Sequence, residues 1–365
     1  MSIKISHKFY ADSLEEVLHY VSKIGDVYKK DDSLKPLWFR GHEYSHYNLE
    51  PNIFRQATYQ YNAGKTYSNN HLREDYRYQH FMSRNFDKTD YREPHSVFEW
   101  QEIMQHFFSK TRLMDWSESL LVALEFAMEA FLIPYKNLDI SEKRRKLQPT
   151  LWILQPNQLN DKVYDALLEG KDFPLLKRVG QGLNAFTRAR IGNELKANKD
   201  IYFSLQDKKE GNYSNIVSLS ALEELKRSYT GRETEAVKRL EFNPLFYLLL
   251  RIYTDGVPVE VGTVPPLAII HPYHSYRIRS QKGVFTVFPY YIPGKKEDMI
   301  SNMKLNFNPI AMEYMPKCQD CLYEIQLTNP GKIAEQMRKI GCRSSDLYPD
   351  TQRVAQDMEN MDFSV

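Results

Sequence analysis

Arg40 follows the aromatic pair Trp38-Phe39 and precedes Gly41. An arginine at the end of a short aromatic strand can aim its planar fork into a cavity and clamp a phosphate or carboxylate through two parallel hydrogen bonds. The other reading of a lone arginine in such a place is a partner for a buried carboxylate. A second polar set, Gln105-His106 and then Thr111-Arg112-Leu113-Met114-Asp115-Trp116-Ser117, stands directly before an almost wholly apolar segment, 120–133. Helix capping accounts for one of Asp115 and Ser117, not for the whole polar group pressed against an apolar element. A third set, Arg277, Arg279, Gln281, Lys282 and Gly283, lies at the mouth of the apolar run 284–288. Surface charge explains Arg277 and Lys282 equally well, and a turn explains Gly283.

Two other motifs carry less. His42-Glu43-Tyr44-Ser45-His46 matches the HExxH pattern of zinc peptidases, which leaves a remote metallopeptidase alternative. That chemistry needs a helix with both histidines on one face and the glutamate beside them as general base. Here the segment follows Gly41, is rich in Tyr, Ser and Asn, and meets Pro51, so no helix and no metal is expected. Cys318-Gln319-Asp320-Cys321 is a CxxC without a second pair and reads as structural or incidental. The basic run 143–146 has no interleaved aromatics and reads as a solvated connector.

The elements that must position these residues follow from periodicity. Ser13 and Glu16 form a capping box ahead of Leu14, Val17, Leu18, Val21 and Ile24, which recur at helical spacing. Residues 37–41 read as a buried strand, and 55–92 as a polar surface excursion. A helix starting near Ser96 buries Trp100, Ile103, Met104 and Phe107, and the apolar helix 120–133 is central to the core. Strands are expected at 151–154, 265–270, 283–288 and 322–327, with a last helix over 332–340 ending at Gly341. Residues 157–251 pattern as mostly helical. Few, scattered strands between unequal helices indicate α+β, a small mixed sheet with a largely helical insertion and flanking helices.

The 365 residues hold 49 Lys+Arg against 47 Asp+Glu, a net charge of +2. That balance excludes a disordered polyelectrolyte and a basic nucleic-acid coat. Tyr (25) and Phe (19) outnumber Gly (15), enough to wall deep pockets that stack on flat ligands. Three cysteines give no disulfide framework, and residues 1–16 lack the apolar core of a signal peptide. The longest apolar run, 245–250, is too short for a bilayer. A soluble cytoplasmic protein with no membrane partner is expected.

The Trp38-Phe39-Arg40-Gly41 stretch, with Leu49-Glu50-Pro51 and Arg55, resembles the opening signature of the FRG domain family. The QH…TRLLDW-S/T block and the following Ala…Phe-Ala helix resemble Gln105-His106, 111–117 and Ala123 to Ala127. An Arg…Gln-x-Gly-x-Phe-Thr strand is matched by Arg279, Gln281, Gly283, Phe285 and Thr286, and a closing Leu-Phe-Pro-Asp segment by Leu347-Tyr348-Pro349-Asp350. The resemblance implies one interrupted domain over 1–365 with a helical insertion at 157–251. The arrangement is also similar to that of ADP-ribosyltransferases, which implies a core of that type and NAD, or another small-molecule nucleotide, as ligand. By that likeness Arg40, Asp115, Ser117 and Gln281 would be catalytic, with Arg40 anchoring the anion. Arg40, Gly41, His106, Thr111, Arg112, Trp116 and Arg279 would bind the cofactor. A late-strand Glu usually stabilises the reacting ribose, but Gln281 supplies no charge, which leaves Asp115 or Glu324 as substitutes. The likeness further implies a protein or RNA acceptor and a toxin or phage-defence setting. The alternative is a noncatalytic module for a nucleotide, RNA end or peptide.

Overall fold

The computed structural model describes residues 7–28, 35–55, 60–62, 65–67, 74–85, 97–106, 109–132, 147–169, 193, 217–218, 248–254, 257, 259–270, 276–292 and 310–342. Among them eight strands form one mixed sheet: β1 (Lys8–Ala11), β2 (Trp38–His42), β3 (Leu113–Ser117), β4 (Thr150–Leu154), β5 (Val217–Ser218), β6 (Leu267–Ile270), β7 (Gly283–Val287) and β8 (Leu322–Leu327). Their order across the sheet is β1-β8-β4-β2-β3-β7-β6-β5. The outer pairs, β1 with β8 and β5 with β6, are parallel. The inner pairs are antiparallel.

The helices are α1 (Leu14–Tyr28), α2 (Glu74–Asn85), α3 (Val97–His106), α4 (Leu120–Leu132), α5 (Pro156–Leu168), α6 (Tyr276–Ser280) and α7 (Pro330–Lys339). One face of the sheet packs against α1, α4 and α7, burying Val17, Ile24, Leu124, Met128, Ile333 and Met337 on Phe39, Leu151, Ile153 and Ile325. Each fully buried side chain of this size contributes roughly 1.5–3 kcal/mol. The other face holds a second apolar cluster, in which Leu159, Val163, Tyr164 and Leu167 of α5 meet Trp38, Leu154, Trp116 and Val284.

Local chemistry explains the element ends. Ser13 Oγ accepts from Glu16 N (3.4 Å), and the Glu16 carboxylate accepts from Asp12 N (2.7 Å). The expected box therefore caps α1, with its return bond shifted one residue towards the N-terminus. Asn329 caps α7 by accepting from Lys332 N at 3.2 Å, so the helix begins two residues before the expected start. Gly341 follows it at φ 91°, in the left-handed region where glycine is at ease.

The α+β expectation holds, but the sheet is larger than the small core predicted. The edge strands β1 and β5 are four and two residues long, too short to show periodicity. Residues 55–92 also carry more structure than a surface excursion. Gln60–Asn62 pairs with Lys65–Tyr67, and α2 docks on α3 through Phe81 edge-on to Trp100 at 6.2 Å. Charged and amide residues along α2 hide its helical period.

Within 157–251, α5 and β5 pack with the sheet. Asn160 of α5 donates to Ala268 O (2.9 Å) and accepts from Ala268 N (2.8 Å) of β6. β5 extends the sheet, and a π-helical turn, Leu250–Thr254, crosses the end of the stretch and buries Ile252 and Tyr253 just beyond it. Most other residues of that stretch, the basic run 143–146 and the segment 347–350 lie outside the described residues. Among the described residues no helix is long and apolar enough to cross a membrane.

Candidate functional site

The ladder between β2 and β3 consists of one pair, Phe39 opposite Ser117. β2 pairs along its whole length with β4 on one side, and β3 pairs along its whole length with β7 on the other. The sheet's pairing therefore lapses between its two central strands, and a cleft of about 230 Å³ lies there. Phe39, Arg40 and Gly41 of β2 and Asp115, Trp116 and Ser117 of β3 line it. Glu102 and Gln105 of α3, Ala123 and Phe126 of α4, and Ile278, Gln281, Gly283 and Phe285 complete the wall.

Gly41 is required by packing. A Cβ built there would lie 2.5 Å from Ala127 N and closer still to Ala123 O, both backbone atoms of α4. The helix thus rests directly on the strand, and this contact sets the height of Ala123 and Phe126 in the cleft wall.

Arg40 is the cation of the cleft, with its side chain 18% exposed. Its Nε donates to His42 Nε2 at 3.0 Å, and Nη1 donates to the Asp115 carbonyl. The Asp115 carboxylate is 3.9 Å from the same nitrogen. Burial pushes the guanidinium pKa down to about 10, partly offset by Asp115 and reinforced by Arg55. The group stays cationic at neutral pH. His42 is held neutral, its pKa pushed down to about 2 by burial and then by Arg40 and Arg55. The Arg40 bond makes Nε2 the acceptor, which puts the ring proton on Nδ1.

A short chain of hydrogen bonds fixes the acid at the rim. Thr111 Oγ1 donates to Gln105 Oε1 (2.6 Å), and Gln105 Nε2 donates to Asp115 Oδ2 (2.6 Å). Each amide end has one committed partner, so the 57%-exposed Asp115 carboxylate is held beside Arg40 rather than free to swing.

Ser117 serves a different purpose. Its hydroxyl donates to the Gln281 carbonyl at 2.7 Å and accepts from Ser119 N at 2.9 Å, just before α4. Its single proton is committed to holding the 281–283 turn against β3. In that turn Lys282 has φ 46°, a left-handed conformation that costs a non-glycine residue roughly 1–2 kcal/mol. Gln281 enters the cleft from this constrained turn.

The structure thus brings Arg40, Gly41, Asp115, Trp116, Ser117 and Gln281 to one cleft, and leaves others out of its lining. Arg112 is buried; it donates to Phe288 O at 2.8 Å and lies over the Tyr290 ring at 3.9 Å. It is a core residue and not the ligand contact expected. Thr111 is buried too and acts on the cleft only through Gln105. Arg279 is exposed outside the lining. His106 ends α3, and its side chain lies outside the described residues. Glu324 sits on β8, two strands from β2, and pairs with Lys8 at 3.2 Å, so it cannot stand in for a carboxylate in the cleft.

The expected site residues omitted Glu102, which is 4% exposed, and Gln105, which stood in the second polar set and a signature but was given no role. Their i,i+3 spacing puts them on one helical face, and polar residues on a face turned to the protein were the available signal. His42 ends β2, and no helix runs through 43–46, so the geometry of the zinc motif is not met. Cys318 and Cys321 are buried free thiols whose pKa values burial raises, that of Cys321 to about 12, which leaves them protonated at neutral pH.

The FRG-domain family model matches residues 35–132. The chain carries an FRG domain. The match runs from just before β2 to the end of α4, and so contains both sides of the lapse in the sheet. Within the FRG domain, the Phe, Arg and Gly of the opening tripeptide have separate tasks. Phe39 packs under α4 and floors the cleft, Arg40 supplies its charge, and Gly41 lets the helix approach. Gln281 and the rest of the third set come from beyond the matched residues. No curated protein and no solved structure matches the chain.

Proposed function

We propose that the cleft binds a nucleotide such as NAD, with Arg40 holding its phosphates. The observation that carries this reading is a charged, partly exposed guanidinium in a cleft whose wall combines Phe39, Trp116, Phe126, Phe285 and Ile278 with the polar Glu102, Gln105, Asp115, Ser117 and Gln281. A cation beside rings suits a ligand with an anionic part and a flat part. At about 4 Å and an effective dielectric near 20, a phosphate on that guanidinium gains roughly 4 kcal/mol. The volume of about 230 Å³ is below the roughly 300–1,000 Å³ of pockets that enclose a whole drug-sized molecule. One end of a dinucleotide would enter, and the remainder would lie outside.

The chemistry this would serve is ADP-ribosyl transfer. The C1′–N bond to nicotinamide breaks, and the bond's electron pair leaves with the ring, which departs neutral. An acceptor O–H or N–H on protein or RNA forms the new bond to C1′, and its proton passes to Asp115 at the open rim. A role as a toxin or in phage defence belongs to the same proposal. Incubation with NAD labelled in the adenylate is the test. Release of nicotinamide or labelling of an acceptor, lost in Arg40→Ala, supports transfer.

A noncatalytic binding module is the second reading. It is favoured by Ser117, whose proton is committed to the Gln281 carbonyl, and by the neutral amide of Gln281. Saturable nucleotide binding without turnover selects it.

A further inference from the structure

The sheet carries a second concavity, whose described lining shares no residue with that of the cleft. Its volume is about 530 Å³, inside the roughly 300–1,000 Å³ of small-molecule sites. Lys8 of β1, Glu324 of β8 and Trp152 of β4 line it as one row of paired residues across three strands. Glu313 and Tyr314, in the 3₁₀ turn Met312–Tyr314, and Asp320, just before β8, add to the wall.

Three carboxylates stand in this lining against one lysine. Lys8 pairs with Glu324 at 3.2 Å, and Asp320 pairs with Lys162 at 3.1 Å. Glu313 pairs with no cation among the described residues. One N–H, that of Leu49, serves both its oxygens at 3.0 and 3.2 Å, which leaves lone pairs for a further donor. Burial pushes its pKa up to about 7, and Glu50 and Glu324 add to the rise, so a positive group brought beside it would be favoured. Trp152 is 7% exposed, and its indole N–H has no acceptor among the described residues. A buried donor in that position is costly until an acceptor meets it. Among the described residues no group of three or more acids, histidines and cysteines is placed to hold a metal ion, so an organic cation is the match. The rings of Trp152 and Tyr314 in the wall favour one with a flat body.

We infer that this cavity is a second ligand site, which binds a small aromatic amine with its ammonium on Glu313 and a neutral acceptor oxygen on the Trp152 N–H. The site is separate from the cleft and does not depend on the nucleotide reading. Binding there expels the proton that Glu313 holds, because an adjacent ammonium favours the carboxylate. Affinity therefore rises as pH climbs towards 7 and levels above it.

The test uses the full chain and three probes in titration calorimetry: tyramine, tyrosol, in which a hydroxyl replaces the ammonium, and phenethylamine, which lacks the phenol oxygen. Tyramine should bind saturably, tyrosol about tenfold or more weakly, and phenethylamine several-fold more weakly. The amine keeps its own charge, since aliphatic ammonium groups titrate near pH 10. At pH 7 about half a proton should leave per tyramine bound, read from heats in buffers of different ionisation enthalpy, and almost none at pH 8.5. Glu50, Glu324, Tyr314 and Cys318 also face Glu313, and His7, Lys8, His46 and Asp320 share the wall, so a variant must assign the proton. In Glu313→Gln tyramine should bind about tenfold or more weakly, with no proton released. The probe comparison and the wild-type proton count need no variant, and so stand if Glu313→Gln does not fold. No saturable tyramine binding, equal affinity for tyramine and either analogue, or proton release that persists in Glu313→Gln overturns the inference. Each of these results leaves the nucleotide reading of the cleft intact.

Discussion

Gly41→Ala is the most informative single substitution for how the FRG domain is built. The new Cβ would lie 2.5 Å from Ala127 N and nearer to Ala123 O, while ordinary contact begins near 3.4 Å. Neither obstacle is a flexible side-chain end. Relief requires α4 or β2 to move by about an ångström, and α4 is held from behind by α7 through the Arg338 bond to the Phe131 carbonyl. Overpacking a well-packed core costs about 1–3 kcal/mol, and more where backbone must move. We expect a loss of about 3 kcal/mol or more, and a melting temperature lower by roughly 6–12 °C at about 2–4 °C per kcal/mol. Gly331→Ala is the control, because a Cβ there meets nothing within 4 Å. It should be neutral or stabilising by up to about 1 kcal/mol. Urea unfolding of the two variants beside wild type provides the measurement. A Gly41→Ala protein within about 0.5 kcal/mol of wild type would refute the packing explanation of the tripeptide's glycine.

Burial raises the Glu313 pKa from 4.5 to about 7, so the stability this group contributes is full below 4.5 and lost as pH rises to 7, about 3 kcal/mol in all. Glu313→Gln should therefore gain on wild type by about that amount between acidic and neutral pH, while a constant difference across pH would contradict the assignment. His42 works in the opposite sense: its pKa falls from 6.5 to about 2, so wild type loses about 1.4 kcal/mol per pH unit below 6.5. His42→Gln should show a shallower acid limb in urea titrations at each pH; an unchanged limb would place the acid sensitivity elsewhere. Lys282→Gly relieves the φ of 46° and should stabilise by up to about 1 kcal/mol after the added freedom of the unfolded chain. Destabilisation beyond that amount would show that Lys282 does more than close its turn.

Much of the cleft was legible because its chemistry is local in the chain. An arginine after an aromatic strand, an acid and a serine before an apolar helix, and a glutamine in a turn each stand out from their neighbours. These residues meet because strands β2, β3 and β7 are adjacent, which periodicity does not reveal. Arg112, one residue before β3, is 1% exposed and bonded to the Phe288 carbonyl, a burial that its neighbours in the chain do not reveal. Glu102 was missed because its burial is a tertiary fact, produced by α3 closing over β3. Strands β1 and β5 were missed because short edges owe their form to the neighbours they pair with. The helix α2 was missed because its polar residues obscure a one-sided contact with Trp100.

The central claim is that Arg40 anchors a phosphate-bearing nucleotide in the cleft between β2 and β3. Titration calorimetry of NAD into wild type, Arg40→Ala and Arg40→Lys measures it directly. The account predicts saturable binding to wild type, loss of about 100-fold or more in Arg40→Ala where a charged hydrogen-bonded pair disappears, and partial recovery in Arg40→Lys. Equal NAD affinity in wild type and a folded Arg40→Ala protein, or no binding to either, would contradict it.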